Sequence, residues 1–236
     1  MRQIVPDVYL VEGLRGGNVY LLVSSKGLTL VDSGVARDAD RIVAQLEKAD
    51  YALSKLHSIV LTHAHGDHTG GAVELARRSG AQVLAYRDEV PYIERTKSLP
   101  TASVVKIPLN WLFDRILLRV SPCKVDRLLE DGEMIEVLGG TRVIHTPGHT
   151  PGSICLYQPE QRILFCGDAL FNVNPLTGRS GLRLPMGLVT VDNAQAYDSV
   201  CKLSKLEAKV LCCGHGKAIL DGADKKMKAL LREENS

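Results

Sequence analysis

The densest run of metal-ligating side chains is Thr62-His63-Ala64-His65-Gly66-Asp67-His68, which sets three imidazoles and a carboxylate within six residues. It follows the apolar, β-branched run 58–62 and precedes Gly70 and Gly71, so these groups crowd the carboxyl end of a strand, where α/β sheets place their sites. An extended backbone would send His63, His65 and Asp67 to one side, and a turn at Gly66 would let Asp67 and His68 face a second position, so one strand end could seed two metal sites. A lone histidine pair is most often structural, but three histidines and an aspartate set among small residues are not explained by packing. Imidazole and carboxylate suit zinc and its neighbours, and a catalytic zinc keeps three protein ligands and a water. Further ligands are therefore expected downstream. Three stand at strand ends beside glycine: His149 in HTPGHTPGS, Asp168 in LFCGDALF and His215 in LCCGHGKA. Glycine there lets the chain turn sharply enough for a short side chain to enter a shared cleft.

The elements that must hold these groups alternate. Short strands are expected at 8–12, 19–23 and 28–32, with turns at Gly16-Gly17-Asn18 and Lys26-Gly27, followed by helical spacing of Ile42, Val43 and Leu46. A helix at 72–79 closed by Gly80 and a strand at 82–86 complete the first half. The second half repeats the pattern, with strands at 134–137, 141–145, 153–157, 162–166 and 209–213 and helices at 194–206 and 223–232. Two β-rich halves, each ending in helices, imply two sheets packed face to face with helices outside, in one domain spanning 1–236.

The segment 87–127 departs from this alternation. Pro91, Pro100 and Pro108 interrupt it, and NWLFDRILLRV gathers the only tryptophan with Phe113 and several leucines. It reads as a helical insertion with three candidate roles: a packed helix pair, a hydrophobic lid or substrate wall that includes Trp111, Leu112 and Phe113, or a homodimer contact.

Composition excludes several classes. A hydrophobic fraction of 45% and a charged fraction of 24% are those of a globular protein, and a net charge of +2 does not advertise nucleic acid or an anionic membrane. No run approaches a membrane span and the first ten residues lack the apolar core of a secretory signal. The six cysteines show no CxxC spacing and read as buried free thiols in a reducing cytoplasm. A small-molecule substrate is the expected partner, with neither nucleic acid nor membrane.

The set HxHxDH, then a later His, a later Asp and a final His, resembles the signature of the metallo-β-lactamase superfamily over residues 18–216. Early LVDSG is similar too, with Asp32 at the place of the family's buried aspartate that supports the metal loops. The resemblance implies an αββα four-layer sandwich of the α/β class. It also implies two divalent ions, zinc in the first instance with iron or manganese as alternatives. His63, His65 and His149 would hold one, Asp67, His68 and His215 the other, and Asp168 would bridge them. Two cations ~3.5–4 Å apart lower the pKa of a shared water so that a metal-bound hydroxide is available near neutral pH, with Asp67 as the proton shuttle. Within the family, Asp168 argues against a true β-lactamase, and the intact second set argues against the mononuclear persulfide dioxygenases. Phe171 replaces the tyrosine that follows the bridging Asp in the best-known acyl-homoserine lactonases, and joins the expected substrate wall. An ester, lactone or other hydrophobic acyl substrate is the expected one. A short glyoxalase II-like thioester hydrolase, a phosphoester or phosphotriester hydrolase, and a non-catalytic binding protein are the alternatives.

Overall fold

The computed structural model describes residues 1–100 and 120–234. Seven strands form the first sheet in sequence order: β1 (Arg2–Val5), β2 (Val8–Val11), β3 (Val19–Ser24), β4 (Gly27–Val31), β5 (Leu56–Leu61), β6 (Gln82–Tyr86) and β7 (Arg127–Leu129). The first four strands pair antiparallel, whereas β4 to β7 pair parallel. Parallel pairs require crossovers. These carry α1 (Ala39–Lys48), the single turn α2 (Gly66–Thr69), α3 (Ala72–Ser79) and α4 (Val90–Ile93).

The second sheet contains β8 (Met134–Ile135), β9 (Thr141–His145), β10 (Ile154–Gln158), β11 (Ile163–Gly167) and, after the small hairpin β12 (Phe171–Val173) and β13 (Ser180–Arg183), β14 (Val210–Cys213). Its order is β14-β11-β10-β9-β8, with β11 and β14 parallel. The crossover between them carries α5 (Asn193–Leu203), capped by the Asp192 carboxylate accepting from the Gln195 amide at 2.9 Å; α6 (Ala223–Glu233) follows β14.

Strand periodicity assigns the layers. Leu21, Leu30, Ile59, Leu61 and Val83 face outward against Ile42, Val43, Leu46 and Leu75 of α1 and α3. Their neighbours Tyr20, Leu22, Val31, Val60 and Leu84 face inward, against Val143, Ile154, Leu156, Phe165 and Val210 of the second sheet. The other side of that sheet, with Cys155, Leu164, Cys166, Leu211 and Cys213, packs on Val200, Leu203, Met227 and Leu230 of α5 and α6. The result is the expected αββα sandwich. Tyr20 and Phe165 meet edge to face across the two sheets with ring centroids 5.5 Å apart, and truncating the fully buried Phe165 to alanine would cost about 3–5 kcal/mol.

Several expectations need correction. Arg127, placed in the insertion, instead opens β7 and belongs to the first sheet. The beginning of that segment is a 3-10 turn at Arg87–Glu89 and the short α4. Trp111, Leu112 and Phe113 lie outside the described residues. All six cysteines are free thiols, five buried and Cys201 partly so. Among the described residues no helix is long and apolar enough to cross a membrane.

Candidate metal centre

The seven predicted ligands converge at the carboxyl ends of strands from both sheets, where β5 leads to His63, β9 to His149, β11 to Asp168 and β14 to His215. They divide into His63, His65, His149 and Asp168 in one group and Asp67, His68 and His215 in the other, each group offering ligand atoms within 4.8 Å of one another. The expected turn at Gly66 separates them, and Asp67 goes with His68 rather than with His63 and His65. β5 ends at Leu61, and the helical turn α2 swings Asp67 and His68 away from His63 and His65.

In the first group the His65 Nδ1 and His149 Nε2 atoms approach to 2.9 Å, and the Asp168 carboxylate lies 3.4 Å from His149 Nε2 and 3.7 Å from His63 Nε2. In the second, His215 Nε2 lies 3.3 Å from His68 Nε2 and 3.2 Å from the Asp67 carboxylate. Asp168 faces both groups, since its oxygens are also 3.4 Å from His68 Nε2 and 3.4 Å from His215 Nε2. Its oxygens lie as close to the second group as to the first, so one carboxylate could serve both. Gly214 makes room for it, because a Cβ there would stand 2.2 Å from Asp168 Oδ1.

Hydrogen bonds behind the ligands fix which nitrogen is free. Asp32 accepts from the Thr62 amide and the Thr62 hydroxyl, each at 2.8 Å, and from His68 Nδ1 at 2.8 Å. The Thr62 hydroxyl, its proton given to Asp32, accepts from His63 Nδ1 at 3.0 Å. Thr190 gives its proton to the Met186 carbonyl and so accepts from His149 Nδ1 at 3.3 Å. In all three rings Nδ1 is the donor to the surroundings and Nε2 faces the centre, the nitrogen a metal ion would take. Asp32 reaches its partners from a left-handed backbone (φ 63°), a strained conformation for a residue with a side chain and one found where a site demands it.

Two buried atoms here have no hydrogen-bond partner: His63 Nε2 and Asp168 Oδ1. Orphaned buried acceptors are costly, and both aim at the same space between histidines and carboxylates. Divalent cations would satisfy them, and an all-imidazole-and-carboxylate donor set suits such ions.

Electrostatics divide the two groups. Burial and the neighbouring His68 hold His63 well below the ordinary imidazole range, and burial and His149 bring His65 down to about 3. Burial would lower His68 and His215 as well, but Asp168 and Asp67 override it; His68 is raised well above its ordinary value and His215 to about 10. Asp168 is held well below the carboxylate range against the opposing effect of burial, by His215 and His68. Asp67 is lowered too, again against burial, by His68 and His215. Its side chain keeps 28% exposure where Asp168 keeps 4%, so Asp67 is the carboxylate in touch with water.

Sequence reasoning found Asp32 and Phe171 near the centre. Phe171 is buried with its ring 4.9 Å from that of His215 and 6.4 Å from that of His149. It missed two supports. Asn18, read only as a turn residue, grips the His215 loop: its amide donates to the Gly214 carbonyl at 2.7 Å, and its side chain donates to the carbonyls of Cys213 and Gly216 at 2.9 and 2.7 Å. Glu89 is buried beneath the first group, its carboxyl pushed by burial up to about 7 against the hydrogen bonds of Thr150, Ala64 and Gly152. His145, close to His149 in sequence, stacks on Tyr86 with ring centroids 4.2 Å apart and stays out of the centre.

Comparison with known proteins agrees with this geometry. The family model described as metallo-beta-lactamase superfamily matches residues 13–215. A probable metallo-hydrolase of Bacillus subtilis (strain 168) is 32% identical over 213 residues, covering 84% of this chain and 80% of that protein. A hydroxyacylglutathione hydrolase of Pseudomonas aeruginosa (strain LESB58) is 33% identical over 195 residues, covering 81% of this chain but 58% of that enzyme. Among solved structures, a metallo-beta-lactamase family protein from Thermus thermophilus aligns with a TM-score of 0.75 at 23% identity, covering 99% of this chain and 81% of the other.

Proposed function

The chain belongs to the metallo-beta-lactamase superfamily and is a metal-dependent hydrolase, and from that premise we propose that it cleaves an activated acyl bond (ester, lactone or thioester) with two divalent ions, zinc foremost. The observation that carries the reading is the pair of complete ligand groups sharing Asp168, with His63 Nε2 and Asp168 Oδ1 left unpartnered toward the space between them. His63, His65 and His149 would hold one ion, Asp67, His68 and His215 the other, and Asp168 would bridge. When bound, such ions supply a water acidic enough to attack near neutral pH and an electrophile for the developing oxyanion.

The protein's own groups do the rest. Asp32 keeps the Nδ1 protons of His68 and, through Thr62, of His63 in place, so each ring turns Nε2 toward the centre. Asp67, ionised and partly exposed, would take a proton from the attacking water and pass it to the leaving group. Phe171 covers the His215 side with an apolar ring and offers no hydroxyl to a substrate carbonyl. The thioester form of the reading is favoured by the similarity to hydroxyacylglutathione hydrolase, although that match leaves much of the relative's length uncovered.

The test is steady-state turnover of the zinc-loaded protein on homoserine lactones of increasing acyl length, with lactoylglutathione alongside. Rates that rise with acyl length support an ester or lactone substrate. Preference for the glutathione thioester selects the second form, and turnover of neither rules out both.

A further inference from the structure

Glu89 is 1% exposed, and a carboxylate so deeply buried requires partners that repay its lost hydration. It divides its two oxygens between two loops. Oε1 accepts from the Ala64 amide at 2.8 Å and Oε2 from the Gly152 amide at 2.6 Å, while the Thr150 side chain adds a further hydrogen bond. Ala64 stands between His63 and His65, and Gly152 stands three residues after His149. The approach is close enough that a Cβ on Gly152 would lie 2.5 Å from the Glu89 nitrogen. The strand ends leading to these loops are also joined by the Ile154 amide donating to the Thr62 carbonyl at 2.9 Å, a bond outside both turns that carry the histidines.

We infer that Glu89 is a positioning residue for the first ion, a strut that fixes the distance between the 63–65 and 149–152 turns so that three histidines converge before any ion enters. In the second group His68 is held instead by Asp32, and the His215 loop by Asn18. The strut thus serves one ligand group and not the other. Holding ligands in place beforehand removes an ordering cost from binding, and such outer partners of ligands typically contribute ten- to a hundredfold in affinity. The inference rests on the two-ion reading above, but its test does not depend on turnover.

The experiment is a cobalt(II) titration followed by visible absorption, in two backgrounds that isolate the groups: His215→Ala to leave the first and His65→Ala to leave the second. Glu89→Gln keeps the volume but turns one acceptor into a donor facing an N–H. It is expected to weaken cobalt binding about ten- to a hundredfold in the His215→Ala background and less than about twofold in the His65→Ala background. Unchanged affinity in the first, or equal loss in both, overturns the assignment, since a merely structural residue would affect both alike. Should Glu89→Gln fail to fold, Thr150→Val removes a single hydrogen bond to the same carboxylate. A smaller loss confined to the first group then supports the strut, and no loss or an equal loss overturns it. A wild-type protein that binds both ions and turns over none of the acyl substrates would sink the proposed reaction while leaving this titration decisive.

Discussion

The two halves of the metal centre are built from the same residue types yet stand in different charge states. His63 and His65 are surrounded by other imidazoles, so burial and mutual repulsion keep them neutral. His68 and His215 face Asp67 and Asp168, which favour the proton on each ring. The first half is therefore ready to accept a cation near neutral pH, and the second must first give up protons. The carboxylates that make the second half basic are the ones that would hold and bridge the ions, so protons and ions compete there for the same negative charge.

The contrast is tested most severely at the one residue common to both halves. Asp168→Ala should release both ions and lower turnover by about 10³-fold or more, as expected for the loss of several kcal/mol of transition-state stabilisation. Metal analysis beside a kinetic assay checks this, and full activity with two ions bound would contradict the bridge. Next in size, His215→Ala should cost the second ion alone, leaving one equivalent bound and turnover down about 10²-fold.

A smaller effect separates the two halves by pH. Protons on His68 and His215 compete with the ion, so second-ion affinity should rise with pH until about 10, where His215 loses its proton unaided. First-ion competition at His65 is over above about 3. Calorimetric titration in two buffers of different ionisation enthalpy at neutral pH should show proton release on the second binding event and little on the first; equal release would erase the distinction. By the same linkage, the raised His215 contributes stability to the ion-free chain that is fully present below pH 6.5 and lost as pH rises through about 10. The thermal midpoint of the chelated protein should fall across that window.

Asp32→Asn should weaken ion binding about ten- to a hundredfold, because one oxygen that accepts from Thr62 or His68 becomes a donor. The smallest expected change is Phe171→Tyr, which restores a hydroxyl beside His215 and should raise kcat/KM on lactones by up to about tenfold, the scale of one added hydrogen bond.

The ligands were legible in the sequence because metal chemistry needs particular side chains at strand ends, and each came with a glycine or a tight turn. The central strands were equally plain from runs such as VYLLV and SIVLT. β1, β7, β12 and β13 were not, since RQIV, RLL, FNV and SGLR are short and carry polar or charged residues, so their pairing is decided by neighbours rather than by local preference. The turn at Gly66 is legible in the sequence, but not that it is helical, because four residues are too few to show a helical period. Glu89 escaped because the polar triplet Arg87-Asp88-Glu89 looks like any surface turn; only folding brings it under two distant loops. Asn18 escaped for a similar reason, its side chain crossing to a loop nearly two hundred residues away.

The most direct test of the central claim is the number of divalent ions retained by the purified wild-type chain, counted by elemental mass spectrometry against protein concentration at neutral pH. Two per chain after loading and dialysis is the expected result. One or none, with the protein folded, would contradict a centre in which seven side chains from two sheets serve two ions.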